Sequence, residues 1–277
     1  MREFGKSRKL DNVLYDVRGP VVDEAARMEE NGTNVLKLNI GNPAPFGFRT
    51  PDEVIYDMSR QLTDCEGYSN SKGLFSARKA IMQYAQLKKL PNVSIDDIYT
   101  GNGVSELINL CMSALLDDGD EILIPSPDYP LWTACATLAG GKAVHYICDE
   151  QSEWYPDIDD MRKKITDRTK AIVIINPNNP TGTYVPIGEL EAFADTLPED
   201  VLLVMDEAYM EFATEPDCCS MVDYMKAHPE KPILVLRTFS KYYAMAGLRV
   251  GYALGSEELI GIMRKCSASW NLNVCAQ

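Results

Sequence analysis

The sequence predicts an α/β protein built on a mostly parallel, seven-stranded sheet with helices on both faces. Three observations predict it. Seven short β-branched runs recur along the chain, stretches of helical period lie between them, and polar Gly- or Pro-rich motifs directly follow several of the runs. Parallel strands need crossover connections, and the helical stretches supply them.

The predicted strands are 97–100, 121–125, 143–147, 171–175, 201–205, 233–236 and 250–254. Between and around them, apolar residues recur at helical spacing over 52–63, 74–89, 104–117, 129–139, 157–166, 187–197 and 256–266. The first fifty residues differ: a charged helix-like segment at 20–31, then Leu36-Lys37-Leu38-Asn39-Ile40, then a Gly/Pro/Phe loop from Gly41 to Phe48. Two phenylalanines in such a loop are costly to leave in water, so this region reads as an arm followed by a lid-like loop.

At 277 residues and 45% hydrophobic content, the chain is long enough for one large domain or two smaller ones with a buried core. A formal charge of -14, with no Lys/Arg-rich block to neutralise phosphates, argues against a nucleic-acid partner. No apolar run approaches the roughly 20 residues of a membrane span, and the start, Met1 to Lys6, lacks the apolar stretch of a signal peptide. The expected location is the cytoplasm. The eight cysteines show no metal-ligand spacing, and His145 and His228 stand near no other candidate group in sequence. These features argue against a His-based triad and a His-rich zinc site.

The chemistry centres on Lys241, in Arg237-Thr238-Phe239-Ser240-Lys241, with Gly247 and Arg249 close behind. A lysine amine condenses with an aldehyde, while neighbouring hydroxyls and a guanidinium grip a phosphate; pyridoxal 5'-phosphate (PLP) carries both groups. A solvated surface lysine is the alternative. Gly101-Asn102-Gly103-Val104-Ser105-Glu106 follows the first strand and opens a helix, where N–H groups at 103–105 and the Ser105 hydroxyl suit a phosphate; a plain Gly-rich turn is the competing reading. Asn176-Pro177-Asn178-Asn179-Pro180-Thr181-Gly182 follows the fourth strand as a rigid turn that presents Asn179 above the sheet edge. Asp206 ends a buried apolar strand in Asp206-Glu207-Ala208-Tyr209 and needs a cationic partner, either a protonated pyridine nitrogen or an Arg or Lys. Tyr209, three residues on, is a candidate donor to a ring hydroxyl. Tyr129, in Asp128-Tyr129-Pro130-Leu131-Trp132, and Tyr68, in Gly67-Tyr68-Ser69-Asn70, are each either ring-stacking or core aromatics.

Together these segments resemble fold-type I PLP-dependent aminotransferases of class I/II over nearly the whole chain. By that resemblance Lys241 binds the cofactor aldehyde, Asp206 pairs with the pyridine nitrogen, Asn179 and Tyr209 contact the ring hydroxyl, and Tyr129 stacks. The phosphate goes to Gly103, Val104, Ser105, Thr238, Ser240 and Arg249. Tyr68 corresponds to the tyrosine that reaches the neighbouring subunit's phosphate, which implies a homodimer. Residues 1–183 resemble the glutamate-pyruvate (alanine) aminotransferases through Tyr15-Asp16-Val17-Arg18-Gly19-Pro20, the segment from Leu38 to Phe48, and Pro127 to Trp132; Gly41 would line the substrate pocket. Residues 184–277 resemble histidinol-phosphate aminotransferases, through Leu203 to Tyr209, Arg237 to Lys241 and Ala246 to Tyr252.

The resemblance implies an arm and substrate loop over 1–50, a PLP-binding large domain over 51–265, and the start of a truncated small domain over 266–277. The family's small domain, on the order of 100 residues, supplies an arginine for the substrate carboxylate; no residue of this sequence is assigned to it. The implied reaction is amino transfer between an L-amino acid, with alanine or glutamate favoured, and a 2-oxo acid. Histidinol phosphate is the alternative donor, and decarboxylation or β-elimination is a rival reaction. An impaired PLP-binding fragment or partner subunit is the rival of another class.

Overall fold

The computed structural model describes residues 5–11, 13 and 19–277. Tyr15, Asp16, Val17 and Arg18 of the N-terminal motif lie outside the described residues. Three helices precede the sheet: α1 (Gly19–Glu30), α2 (Asp52–Gln61) and α3 (Phe75–Leu87). There follow β1 (Ile98–Gly101), α4 (Val104–Leu115), β2 (Glu121–Ser126), α5 (Leu131–Ala139), β3 (Lys142–Asp149), β4 (Tyr155–Pro156), α6 (Ile158–Lys164) and β5 (Thr169–Ile175). The chain continues through α7 (Ile187–Asp195), β6 (Leu202–Asp206), α8 (Val222–Ala227), β7 (Ile233–Thr238), β8 (Gly251–Leu254) and α9 (Glu257–Cys266).

The strands form one mixed sheet in the order β1-β8-β7-β6-β5-β2-β3-β4. From β7 through β6, β5 and β2 to β3 every pairing is parallel, whereas β8 is antiparallel to both of its neighbours. All seven expected strands are present, with β4 added as a two-residue strand antiparallel to β3. Alternation of side chains across the pleat divides the core in two. Ile172, Ile174, Leu203, Met205 and Val235 pack with Ile81, Met161, Leu190 and Phe193 of α3, α6 and α7. Ala171, Val173, Val204, Leu234 and Leu236 pack with Leu107, Met112, Trp132 and Met263 of α4, α5 and α9. Because both faces are covered, the central strands read as near-continuous apolar runs.

Helix ends follow local chemistry. Ser256 caps α9 by accepting from Leu259 N at 3.2 Å, with Glu257 and Glu258 in the first turn and Arg264 and Lys265 in the last. Pro130 ends the loop before α5, so Tyr129, expected inside that helix, sits just ahead of it. The short α8 gave no extended helical period in the sequence. In the Gly41 to Phe48 loop, Phe46 is 46% and Phe48 66% exposed. Neither phenylalanine is buried within this chain.

Candidate active site

The fold gathers the candidate residues at one edge of the sheet. Strands β1, β2, β5, β6 and β7 all end there, followed by Asn102-Gly103, Tyr129, Asn179, Asp206-Tyr209 and Thr238-Lys241. The antiparallel β8 begins there: Gly251 lies opposite Gly101 on one side and Thr238 on the other. Arg249, two residues before Gly251, is thereby delivered from the opposite chain direction. The strands leave no room at this point, because a Cβ on Gly251 would meet the Arg237 carbonyl oxygen at 2.8 Å and Gly103 Cα at 3.1 Å.

Lys241 leads the first of two clusters. Its Nζ donates to the Gly41 carbonyl oxygen at 2.8 Å and lies 5.8 Å from the centre of the Tyr209 ring. Burial pushes its amine below the usual lysine value, the nearby Arg249 charge adds to this, and the Asp206 charge opposes it. A neutral amine is the nucleophilic form. Asp206 is 3% exposed, and burial pushes its carboxyl up to about 6. It accepts from the Ala208 backbone N–H at 3.1 Å and from Trp132 Nε1 at 3.2 Å. Among the described residues it has no ion-pair partner. Burial, with the Asp206 and Tyr129 charges, raises the Tyr209 phenol, which therefore keeps its proton.

The second cluster collects donors. Thr238 and Ser240 are buried, with Thr238 Oγ1 2.9 Å from Ser240 Oγ and 3.0 Å from Ser240 N. Arg249, in the left-handed region at φ 57°, sends Nη2 to the Asn102 carbonyl oxygen at 3.2 Å and Nη1 to that of Ala246 at 3.0 Å. A Cβ on Gly103 would approach Arg249 Nη2 to 2.9 Å, and Gly103 itself has φ 76°. The backbone conformation requires glycine at this position, and a side chain there would push the guanidinium aside. No side chain caps the first turn of α4, which leaves Val104 and Ser105 at a bare helix N-terminus. Glu106, the acidic residue of that turn, is engaged by Asn102 N at 2.7 Å and Asn271 Nδ2 at 2.7 Å.

Asn179 is half-buried in its turn, but other asparagines hold that turn in place. Asn176 Oδ1 accepts from Val185 N at 2.8 Å, and Asn178 Oδ1 accepts from the Thr181 hydroxyl at 2.9 Å. Tyr129 packs against the α4/α5 side of the core. Tyr68 stands apart from the other candidates, 83% exposed and stacked on Trp270 with ring centres 4.7 Å apart.

Sequence reasoning missed three supports of this edge. Trp132 was quoted in a motif without a role. Thr133 Oγ1 bridges Asp128 Oδ2 at 2.8 Å and His145 Nε2 at 2.9 Å, which pins the loop carrying Tyr129. Arg237 is the third: its Nη2 and Nε reach Glu207 Oε2 at 2.7 and 3.0 Å, and its Nη1 reaches Glu211 at 3.0 Å. The only available signal was a pair of acidic residues at the end of an apolar strand, and spacing does not say which of the two takes the arginine.

The family model for aminotransferase class I and II matches residues 33–277. The glutamate-pyruvate aminotransferase AlaA of Haemophilus influenzae is 51% identical over 255 residues, which cover 92% of this chain and 63% of that protein. Histidinol-phosphate aminotransferase 2 of Carboxydothermus hydrogenoformans is 34% identical and is covered over 70% of its length. A solved Escherichia coli aminotransferase superposes with a TM-score of 0.90 at 47% identity, over 99% of this chain and 70% of that one. The chain belongs to the class I and II aminotransferases, with the fold-type I large-domain architecture and its site for PLP. It spans less than two thirds of the length of the AlaA relatives it matches.

Proposed function

We propose that the chain acts as a PLP-dependent aminotransferase that moves an amino group between an L-amino acid, alanine or glutamate, and a 2-oxo acid. The observation that carries this reading is the amine of Lys241, half-buried and depressed in basicity, near a buried carboxylate that has no ion-pair partner among the described residues, with a separate cluster of hydroxyls, guanidinium and helix N-terminus. That donor set fits PLP part by part. Lys241 matches the aldehyde, Asp206 a protonated ring nitrogen, and Tyr209 and Asn179 the ring hydroxyl. Gly103, Val104, Ser105, Thr238, Ser240 and Arg249 match the phosphate. Tyr129 would cover a ring face, and Gly41 the substrate side. Bound there, PLP supplies the electron sink that stabilises negative charge at an amino-acid α-carbon.

The protein's own groups supply the rest. Lys241 Nζ, its basicity lowered by burial, takes the proton from the substrate α-carbon. Asp206, whose carboxylate form is favoured by the Ala208 and Trp132 N–H donors, offers a negative charge to the ring nitrogen. Tyr209 holds its phenolic proton for a hydrogen bond to the ring hydroxyl. The donor preference is supported by 51% identity to a glutamate-pyruvate aminotransferase. Residues 1–50 serve as arm and substrate loop and 51–265 as the PLP domain. The assembly is a homodimer in the cytoplasm, with exposed Tyr68 directed to the partner's site.

The test is to load the full chain with PLP, record its visible absorbance, and add L-alanine, L-glutamate or histidinol phosphate. Conversion of the spectrum with release of the matching 2-oxo acid is expected for alanine and glutamate. Release of CO2 or ammonia instead would assign a different α-carbon reaction, and PLP uptake with no response to any donor would leave a binding fragment.

A further inference from the structure

Asp206 and Glu207 stand side by side at the end of β6, and the pleat sends them apart. Glu207 takes the buried guanidinium of Arg237, together with the Ser220 hydroxyl at 2.8 Å and the Met221 N–H at 2.9 Å. Asp206 is left with two neutral donors, Ala208 N on Oδ1 and Trp132 Nε1 on Oδ2. The backbone donor follows from the local turn. The indole comes from 74 residues away.

Trp132 has no exposed surface and sits in the first turn of α5, its own N–H bonded to the Tyr129 carbonyl at 3.1 Å. One turn of chain therefore places both Tyr129 and the indole donor. An indole N–H can only donate. It favours a carboxylate and cannot accept the proton of a carboxylic acid, unlike a histidine or an amide at the same place. One donor on each oxygen also restrains the carboxylate plane and leaves further lone pairs free for a cation.

We infer that Trp132 is the positioning residue of Asp206, orienting its carboxylate and holding it in the ionised form that a protonated ring nitrogen requires. This deepens, and rests on, the reading of the site as a PLP pocket.

The coupling itself is testable before any cofactor is added. In the full chain labelled with 13C at the aspartate carboxyls, Asp206→Asn identifies the resonance of Asp206. Trp132→Phe, which keeps an aromatic ring and removes the donor, should raise the proton affinity of Asp206 about tenfold, the size expected for one hydrogen bond to a charged group. A second measurement needs no change at Trp132: the indole proton resonance of the wild type should titrate with the Asp206 midpoint, and Asp206→Asn should abolish that movement. An unaltered Asp206 midpoint in Trp132→Phe, or an indole resonance indifferent to Asp206→Asn, would overturn the assignment. After loading with PLP labelled with 15N in the ring, Trp132→Phe should move the nitrogen signal toward that of unprotonated pyridine, and an unmoved signal would equally overturn it. If the wild type takes up no PLP while the cofactor-free results hold, the pocket reading falls and the Trp132 assignment stands.

Discussion

The Lys241 amine is hydrogen-bonded to the carbonyl oxygen of Gly41, 200 residues earlier in the chain, so the N-terminal loop forms one wall of the lysine's surroundings. A Cβ at Gly41 would stand 3.0 Å from Tyr209 Oη and 3.3 Å from Lys241 Nζ. Gly41→Ala should therefore displace both groups and weaken PLP uptake, by about tenfold if one hydrogen bond to a charged group is lost. Gly261→Ala, where a Cβ meets open space within α9, should leave uptake unchanged and stabilise the chain by about 0.5–1 kcal/mol. Spectroscopic PLP titration and urea unfolding check the pair.

Lys241→Ala removes the amine altogether. The visible absorbance of protein-bound PLP should disappear, and amino-donor turnover should fall by a factor on the order of 10²–10⁴ or more. Retained turnover would remove Lys241 from the mechanism.

The two arginines at this edge have opposite characters. Arg237 is 5% exposed and paired with both Glu207 and Glu211, so Glu207→Gln leaves the buried guanidinium with one carboxylate partner and should cost about 3 kcal/mol in urea unfolding. Arg249 is exposed and, among the described residues, bonded only to carbonyl oxygens. Arg249→Ala should barely change stability while raising the dissociation constant for PLP roughly ten- to hundredfold, the loss of a charge-assisted phosphate contact.

Asp206 gives the cofactor-free chain a particular pH dependence. Its folded carboxyl, raised by burial to about 6, lies above its ordinary value of 3.8. The folded state therefore binds more protons between those values. Its contribution to stability is fully present below about 4 and is lost as pH rises through about 6. Asp206→Asn should accordingly be more stable than wild type at pH 7, by on the order of 2–3 kcal/mol, with the difference vanishing near pH 4. Denaturant midpoints across that range decide it; a constant difference would show that burial does not set the Asp206 titration. PLP should narrow the gap by stabilising the wild type more than the variant.

The sequence by itself determined the sheet, the order of its strands along the chain and the identity of the chemical groups, because burial on both faces writes strands as apolar runs and the motifs sit directly after them. Lys241, Asp206, Asn179 and Arg249 were legible from such local patterns. What only the tertiary structure decided was pairing. The reversed direction of β8 brings Arg249 to Gly103; Arg237 goes to Glu207 and not to Asp206; Trp132 and Gly41 reach the buried acid and amine across 74 and 200 residues. These contacts depend on which strands neighbour one another and which pleat face a side chain takes. Periodicity gives a residue's face but not the partner waiting on it, since a hydrogen bond is fixed by distances in space that spacing along the chain does not encode.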